Sequence, residues 1–291
     1  MPKLLEKPNQ TRRIWLLPIV LLLLTTAVLA LVFGQLQPMG QILPHRKTVL
    51  VNDGVNIVAI EPQEGVPVNE LAAEAFSAQG DLVLCSGAAR QGIDVSEHQG
   101  EIDWQQVARS GISFAYLRLG YRGATEGQVH TDLRFAENWT AARAAGLDVG
   151  VYFFSQATDE REAIEEADYV LAVLDGERPD LPVMFDWESV DREGSRSKEA
   201  EAQAVTDCAA AFCRRIAASG LTAGIYFNRQ QGYYTYDLSR LKDFAFWVSD
   251  PGERPDFYYA FRLWQYSFTG TVPGIDTVVD RDLLFEEGGI G

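Results

Sequence analysis

From Gln91 to the C-terminus the chain alternates between two kinds of segment, and that alternation restricts the fold more than any other feature. Apolar, β-prone runs occur at Gly92–Ser96, Ile112–Leu119, Asp148–Ser155, Pro182–Glu188, Thr222–Asn228, Phe244–Ser249, Phe261–Ser267 and Ile275–Asp280. Helical patterns at Trp104–Ser110, Leu133–Ala145, Glu160–Leu174 and Lys198–Ser219 separate the first five. Gly111, Gly146 and Gly220 stand where helix C-terminal caps belong. Strands alternating with helices imply an α/β fold, a parallel sheet with right-handed crossovers. Eight strands predict closure into a TIM-like barrel, the last three joined by loops or short helices. An open doubly wound sheet is the alternative. No glycine-rich phosphate loop follows the first strand, which disfavours a nucleotide site.

A barrel places its site at the C-terminal ends of the strands, and acids collect there. Asp186 and Glu188 end the fourth run two residues apart, so they project from one face of a strand. Paired buried carboxylates raise each other's pKa, and the chemistry they suit is acid/base work on an acetal or phosphate, or metal binding. Asp94 lies late in the first run and Asp280 ends the eighth, so four carboxylates from three strands are expected at one mouth. Against this stand a solvated strand end, a turn former at Asp94 and a cap at Asp280. Tyr152, Tyr226, Trp247, Trp264 and Tyr266 fall near strand ends too. Their flat rings suit a sugar, although strand aromatics are commonly core. Arg118 joins them as a candidate for substrate contact.

Composition removes several classes. A formal net charge of −16 argues against nucleic acid and against electrostatic attachment to anionic polymers. Cys85, Cys208 and Cys213 have neither disulfide-framework nor zinc spacing and read as packing residues. His45, His98 and His130 are too few for a histidine-rich metal site.

The N-terminal part reads separately. Ile14 to Phe33 is apolar apart from Pro18, Thr25 and Thr26, long enough to cross a bilayer, and Lys3, Lys7, Arg12 and Arg13 precede it. Residues 1–13 are therefore read as a cytoplasmic tail and 14–34 as a single-pass anchor with the remainder outside the cell. A signal peptide cleaved near Ala30 is the rival, which would release a secreted protein. Residues 35–90 are a connector, with a hairpin around Asn52-Asp53-Gly54, one or two helical turns at Glu70–Phe76 and a short strand at Asp81–Cys85.

Gly92-Ile93-Asp94-Val95-Ser96, Gln99-Gly100 and Ile102-Asp103-Trp104 resemble the opening of glycoside hydrolase family 25, the Chalaropsis-type lysozymes. The likeness continues through Gly150-Val151-Tyr152, Asp186-Trp187-Glu188, Gly224-Ile225-Tyr226, Trp247-Val248, Trp264-Gln265-Tyr266-Ser267 and Val279-Asp280. It spans 91 to 285, in order.

The resemblance implies a modified (β/α)5(β)3 barrel over 91–291 that hydrolyses the β-1,4 bond between N-acetylmuramic acid and N-acetylglucosamine in peptidoglycan. By matching motif Glu188 is expected as general acid, crowded by Asp186 and Trp187. Asp186 is expected to orient the substrate's N-acetyl group, with Asp94 and Asp280 completing an acidic floor. The implied partners are glycan strands and, through the anchor, a membrane; no metal or organic cofactor is implied. Asp282 departs from the family's usual asparagine in Val-Asp-x-Asn, which puts the pH optimum in question. A membrane-tethered glycan-binding protein or a hydrolase of chitin-like polymers are the alternatives. The binding protein would usually have lost one of the acids.

Overall fold

A computed structural model describes residues 48–87 and 89–285. The expected anchor at 14–34 lies outside them; among the described residues no helix is long and apolar enough to cross a membrane.

Eight strands close into a barrel: β5 (Ala89–Val95), β6 (Phe114–Arg122), β8 (Asp148–Ser155), β9 (Val183–Trp187), β10 (Ala223–Asn228), β11 (Ala245–Ser249), β12 (Leu263–Gly270) and β13 (Val279–Phe285). β7 (Val129–Thr131) pairs only with the far end of β6. From β5 to β12 each neighbouring pair is parallel, whereas β13 runs antiparallel to both β12 and β5. Helices α1 (Trp104–Arg109), α2 (Phe135–Ala144), α3 (Glu160–Leu174) and α4 (Ala202–Ala218) follow the first four parallel barrel strands. After β10 the expected fifth helix shrinks to short turns at Gln231–Thr235 and Leu238–Arg240. Gly111, Gly146 and Gly220 adopt positive φ (96°, 86° and 82°) two residues beyond their helices, as the sequence predicts.

One expectation needs correction. The last strand is Val279–Phe285, so Asp280 begins it instead of ending a run from Ile275. Because β13 is antiparallel, its start lies beside the ends of its neighbours, and Asp280 pairs with Asp94. The acid reaches the predicted mouth by the opposite strand direction.

Strand alternation separates two apolar layers. Phe114, Tyr116, Met184, Trp247, Leu263 and Leu284 fill the barrel interior. Ile93, Val151, Phe185, Ile225, Val248, Trp264 and the helices make the outer layer. Interior fit is complementary: a Cβ on Gly92 would come within 2.1 Å of the Phe114 ring, and one on Gly150 within 2.3 Å of Tyr116. Each glycine vacates space that the aromatic on the next strand takes.

Residues 48–87 form two hairpins packed on the barrel. β1 (Val49–Asn52) pairs with β2 (Ile57–Ile60), and β3 (Phe76–Gln79) with β4 (Leu82–Cys85). The predicted helical turns are a single 3-10 turn at Ala73–Ala75. β12 and β13 have no crossover helix, so their outward Trp264 and Phe285 need other cover. Phe76 provides it, with ring centroids 5.6 Å and 6.2 Å from those two. Cys208 and Cys213 are buried on α4, consistent with packing roles.

Candidate active site

Most of the site is the last inward-facing layer of the barrel, largely one residue per strand. On β9, Val183, Phe185 and Trp187 face the outer layer, so Met184 and Asp186 face inward, with Glu188 next in the same phase. The same parity puts Asp94 (β5), Arg118 (β6), Tyr152 (β8), Tyr226 (β10), Trp247 (β11), Gln265 (β12) and Asp280 (β13) around one cavity of about 140 Å³ with Asp186 and Glu188. Glu188 also borders two wider openings, so it stands where three spaces meet.

The structure thus brings together all four expected acids with Tyr152, Tyr226, Trp247 and Arg118. It does not bring Trp264 or Tyr266. Both are on the outward phase of β12: Trp264 Nε1 donates to the Asp250 carbonyl at 2.7 Å, and Tyr266 OH donates to Gln91 Oε1 at 2.9 Å, in the outer layer. Gln265 between them is the inward residue. Its Nε2 donates to Asp94 Oδ2 at 2.8 Å and to Asp280 Oδ2 at 3.1 Å, while its Oε1 accepts from Tyr226 OH at 2.7 Å. Inward Leu263 two residues earlier is the signal that would have picked Gln265 over its aromatic neighbours. Trp187, expected to crowd Glu188, also turns outward, donating to the Ala157 carbonyl at 3.2 Å. Trp247 is almost fully buried beneath the acids, 4.6 Å from the Tyr116 ring and 4.9 Å from Tyr226. It is a floor more than a stacking platform.

The electrostatics favour retained protons. Burial, then the Glu188 charge, pushes Asp186 well above the usual carboxylate range; burial raises Glu188 as well. Their mutual hydrogen bond raises Asp186 further and draws Glu188 part of the way back down. Asp186 Oδ1 meets no N–H or hydroxyl donor of the described residues. Across the barrel, burial and the charges of Asp282 and Asp280 raise Asp94, and burial and Glu188 raise Asp280 to about 6. The one cation on the layer, Arg118, is engaged by Asp132 at 2.8 Å and Glu97 at 3.1 Å. Asp282 is fully buried on β13, accepting from Trp247 Nε1 at 2.9 Å and sharing a hydrogen bond with Asp94. Four carboxyl groups with raised pKa therefore line one small cavity, and a fifth, Asp282, is buried against Asp94 outside its lining.

Residues 93–275 match the model of glycosyl hydrolases family 25. The chain belongs to that family. It is 31% identical over 204 residues to Lysozyme M1 of Streptomyces globisporus, covering 66% of this chain and 66% of that one. It is 28% identical over 205 residues to the autolytic lysozyme of Clostridium acetobutylicum, covering 68% of this chain but 56% of the relative. Among solved structures, the bacterial lysozyme of Streptomyces coelicolor superposes with a TM-score of 0.56 at 28% identity, over 69% of this chain and 95% of that one. As a family 25 member the chain is a glycoside hydrolase, and the acid layer lies within the matched barrel apart from Asp280 and Asp282, which follow residue 275. The hairpins of residues 48–87 precede the match.

Proposed function

We propose that the protein is a lysozyme that cleaves the β-1,4 bond between N-acetylmuramic acid and N-acetylglucosamine in peptidoglycan, with Glu188 as general acid. The observation that carries this reading is the Asp186–Glu188 pair on the cavity wall, with Glu188 standing where the cavity meets both wider openings. Hydrolysis of a glycoside needs a proton on the departing oxygen and negative charge beside the oxocarbenium-like centre. Glu188 keeps a proton to higher pH than a free carboxylic acid and faces the open side, so it serves as donor. Asp280, which the Gln265 amide holds beside Asp94 and which ionises near pH 6, supplies negative charge opposite.

Asp186 and Glu188 approach the sugar from neighbouring directions, which leaves neither placed to attack the far face of the anomeric carbon. The acetamido oxygen of the substrate fills that role. Asp186, whose Oδ1 is unmet by a protein donor, accepts the acetamido N–H and holds the group in position. The relatives named lysozymes support the substrate class; chitin-like polymers are the nearest competitor. We also propose that Ile14–Phe33 anchors the enzyme on the outer side of a membrane.

The test is turnover of purified peptidoglycan against chitin oligomers, with NMR of the first-formed anomer and with wall material de-N-acetylated and then re-N-acetylated. Release of new reducing ends from acetylated peptidoglycan, with retained configuration, is expected. Preference for chitin overturns the substrate; equal cleavage beside de-N-acetylated muramic acid, or an inverted first product, overturns the acetamido step. Recovery of the native protein in the membrane fraction at full length supports the anchor.

A further inference from the structure

The β1–β2 hairpin lies outside the family match, yet its tip reaches the mouth. Asp53, Gly54 and Val55 border a groove of about 570 Å³ that Glu188 and Asp280 also border, with Phe268 and Arg229 on its walls. The tip is fixed in place. Tyr234 OH donates to Asp53 Oδ2 at 2.8 Å, and Asn52 Nδ2 donates to Asp256 Oδ2 at 2.9 Å. Within the turn, Asp53 Oδ1 accepts from the N–H groups of Val55 and Asn56, both at 2.8 Å. Below, Gln63 Nε2 donates to the Tyr236 carbonyl and Asn69 Nδ2 to the Phe257 carbonyl, on the loops that follow β10 and β11. A turn held at both its strand and its apex costs little further ordering when a ligand arrives.

We propose that this hairpin tip builds an additional saccharide subsite onto the catalytic cleft, seating one uncharged sugar ring of the glycan strand between Val55 and Phe268. Both are large apolar side chains left open to solvent, 72% and 47% exposed, on a groove whose remaining lining is mostly polar. Apolar faces with hydroxyl-binding groups between them are the surface a pyranose requires, since its C–H faces and its hydroxyls demand opposite partners. Charge selects the occupant. Asp53 and Asp280 give the groove negative charge at neutral pH, and Arg229, the groove's one cation, is already paired with Asp250 at 3.1 Å and Asp256 at 3.5 Å. A carboxylate-bearing peptide branch meets repulsion there, whereas a neutral ring does not. The consequence is a preference for longer glycan strands that the barrel alone does not supply.

This inference rests on the lysozyme reading, and the experiment separates the two. Val55→Ser with Phe268→Ser, and separately a hairpin whose Asp53–Asn56 turn is replaced by Asn-Gly, are compared with the unmodified chain. The substrates are peptide-free glycan strands of one disaccharide-repeat pair and of four or more pairs, with peptide-bearing strands of the same lengths in a parallel arm, and the readout is the ratio of kcat/KM for long over short. Both variants are expected to lower that ratio about tenfold, the worth of a partly buried apolar side chain on each wall. Circular dichroism melting checks that the fold is intact. Activity with an unchanged ratio in both folded variants overturns the subsite. So does a loss confined to peptide-bearing strands, which makes a stem peptide the occupant. Cleavage of neither length by the unmodified chain overturns the lysozyme reading itself.

Discussion

Around Arg122, between the barrel and α3, Glu166 and Glu162 are buried among donors; at the mouth, buried Asp94, Asp186 and Asp282 and half-buried Glu188 and Asp280 sit nearly without them. Arg122 Nε donates to Glu166 Oε1 at 2.7 Å, its Nη2 reaches Glu165 at 3.0 Å, and Ser155 OH donates to Glu166 Oε2 at 2.6 Å. Arg196 Nη2 and the Thr158 N–H meet Glu162 at 2.6 Å and 3.0 Å. Burial raises Glu162, but those donors outweigh it and leave its pKa lowered. The more deeply buried Glu166 is pushed up to about 7 despite Ser155 and Arg122. Of the five mouth acids, Asp94 and Asp280 each receive one N–H of Gln265, and Asp282 the Trp247 N–H. The first cluster ties α3 to the barrel. The second leaves carboxyl groups that protons, not cations, must neutralise, and a fold tolerates that where chemistry needs it.

The comparison breaks first at Glu188. Glu188→Gln is expected to lower kcat by at least ~10²-fold on peptidoglycan, the usual size of general-acid catalysis, while the melting temperature stays level or rises. Near-normal turnover by the folded variant removes Glu188 from the acid role. Arg122→Met is the converse experiment: it strands a buried carboxylate and is expected to cost about 3 kcal/mol of stability. Turnover per folded molecule should stay within about twofold, because no group of the acid layer touches Arg122. A variant that keeps its stability but loses activity would show that the outer cluster belongs to the site.

The contrast also shows what the sequence disclosed. Period-2 alternation placed Asp186 and Glu188 on one face, and strand-end position gathered Asp94 and Asp280, because both arguments need only local spacing. The strand–helix alternation likewise fixed the barrel and its helix caps at Gly111, Gly146 and Gly220. What failed needed partners remote in sequence. Trp264 and Tyr266 were ranked by ring chemistry, yet their phase on β12 is set by Leu263 and Gln265 facing inward. The antiparallel course of β13 depends on its pairing with Arg90 to Asp94 across the closure, invisible from either strand alone. Nothing local marks Asn52–Val55 as a wall of the cleft, because that placement comes from Tyr234 and Asp256, some two hundred residues away.

Smaller effects follow from titration. For Asp280 the folded state keeps its proton to about pH 6, while the ordinary value is 3.8. Between those values the folded chain binds more protons than the unfolded one, so this group lowers stability as pH rises through the window. Asp280→Asn is therefore expected to raise the melting temperature at pH 7 by about 2–4 °C, with the gap closing below pH 4. A gap that persists at pH 3.5 would mean the gain is packing and not charge.

The finest test concerns Asp282, which stands where the family usually has asparagine. It is fully buried, accepts from Trp247 Nε1 and shares a hydrogen bond with Asp94, whose pKa burial and the Asp282 and Asp280 charges raise. An asparagine there keeps the acceptor for Trp247 and offers Asp94 an N–H in place of a second acid. Asp94 then ionises at lower pH, since one neighbouring charge has gone and its remaining bonds, from Gln265 and the new amide, favour the carboxylate. If ionised Asp94 supplies charge to the cationic transition state, the acidic limb of the kcat/KM profile should move down by about one pH unit in Asp282→Asn, with the plateau within about twofold. A purely structural Asp282 would scale the whole profile and leave the limb where it was. Asp282→Asn is thus expected to hold its activity to lower pH than the unmodified chain.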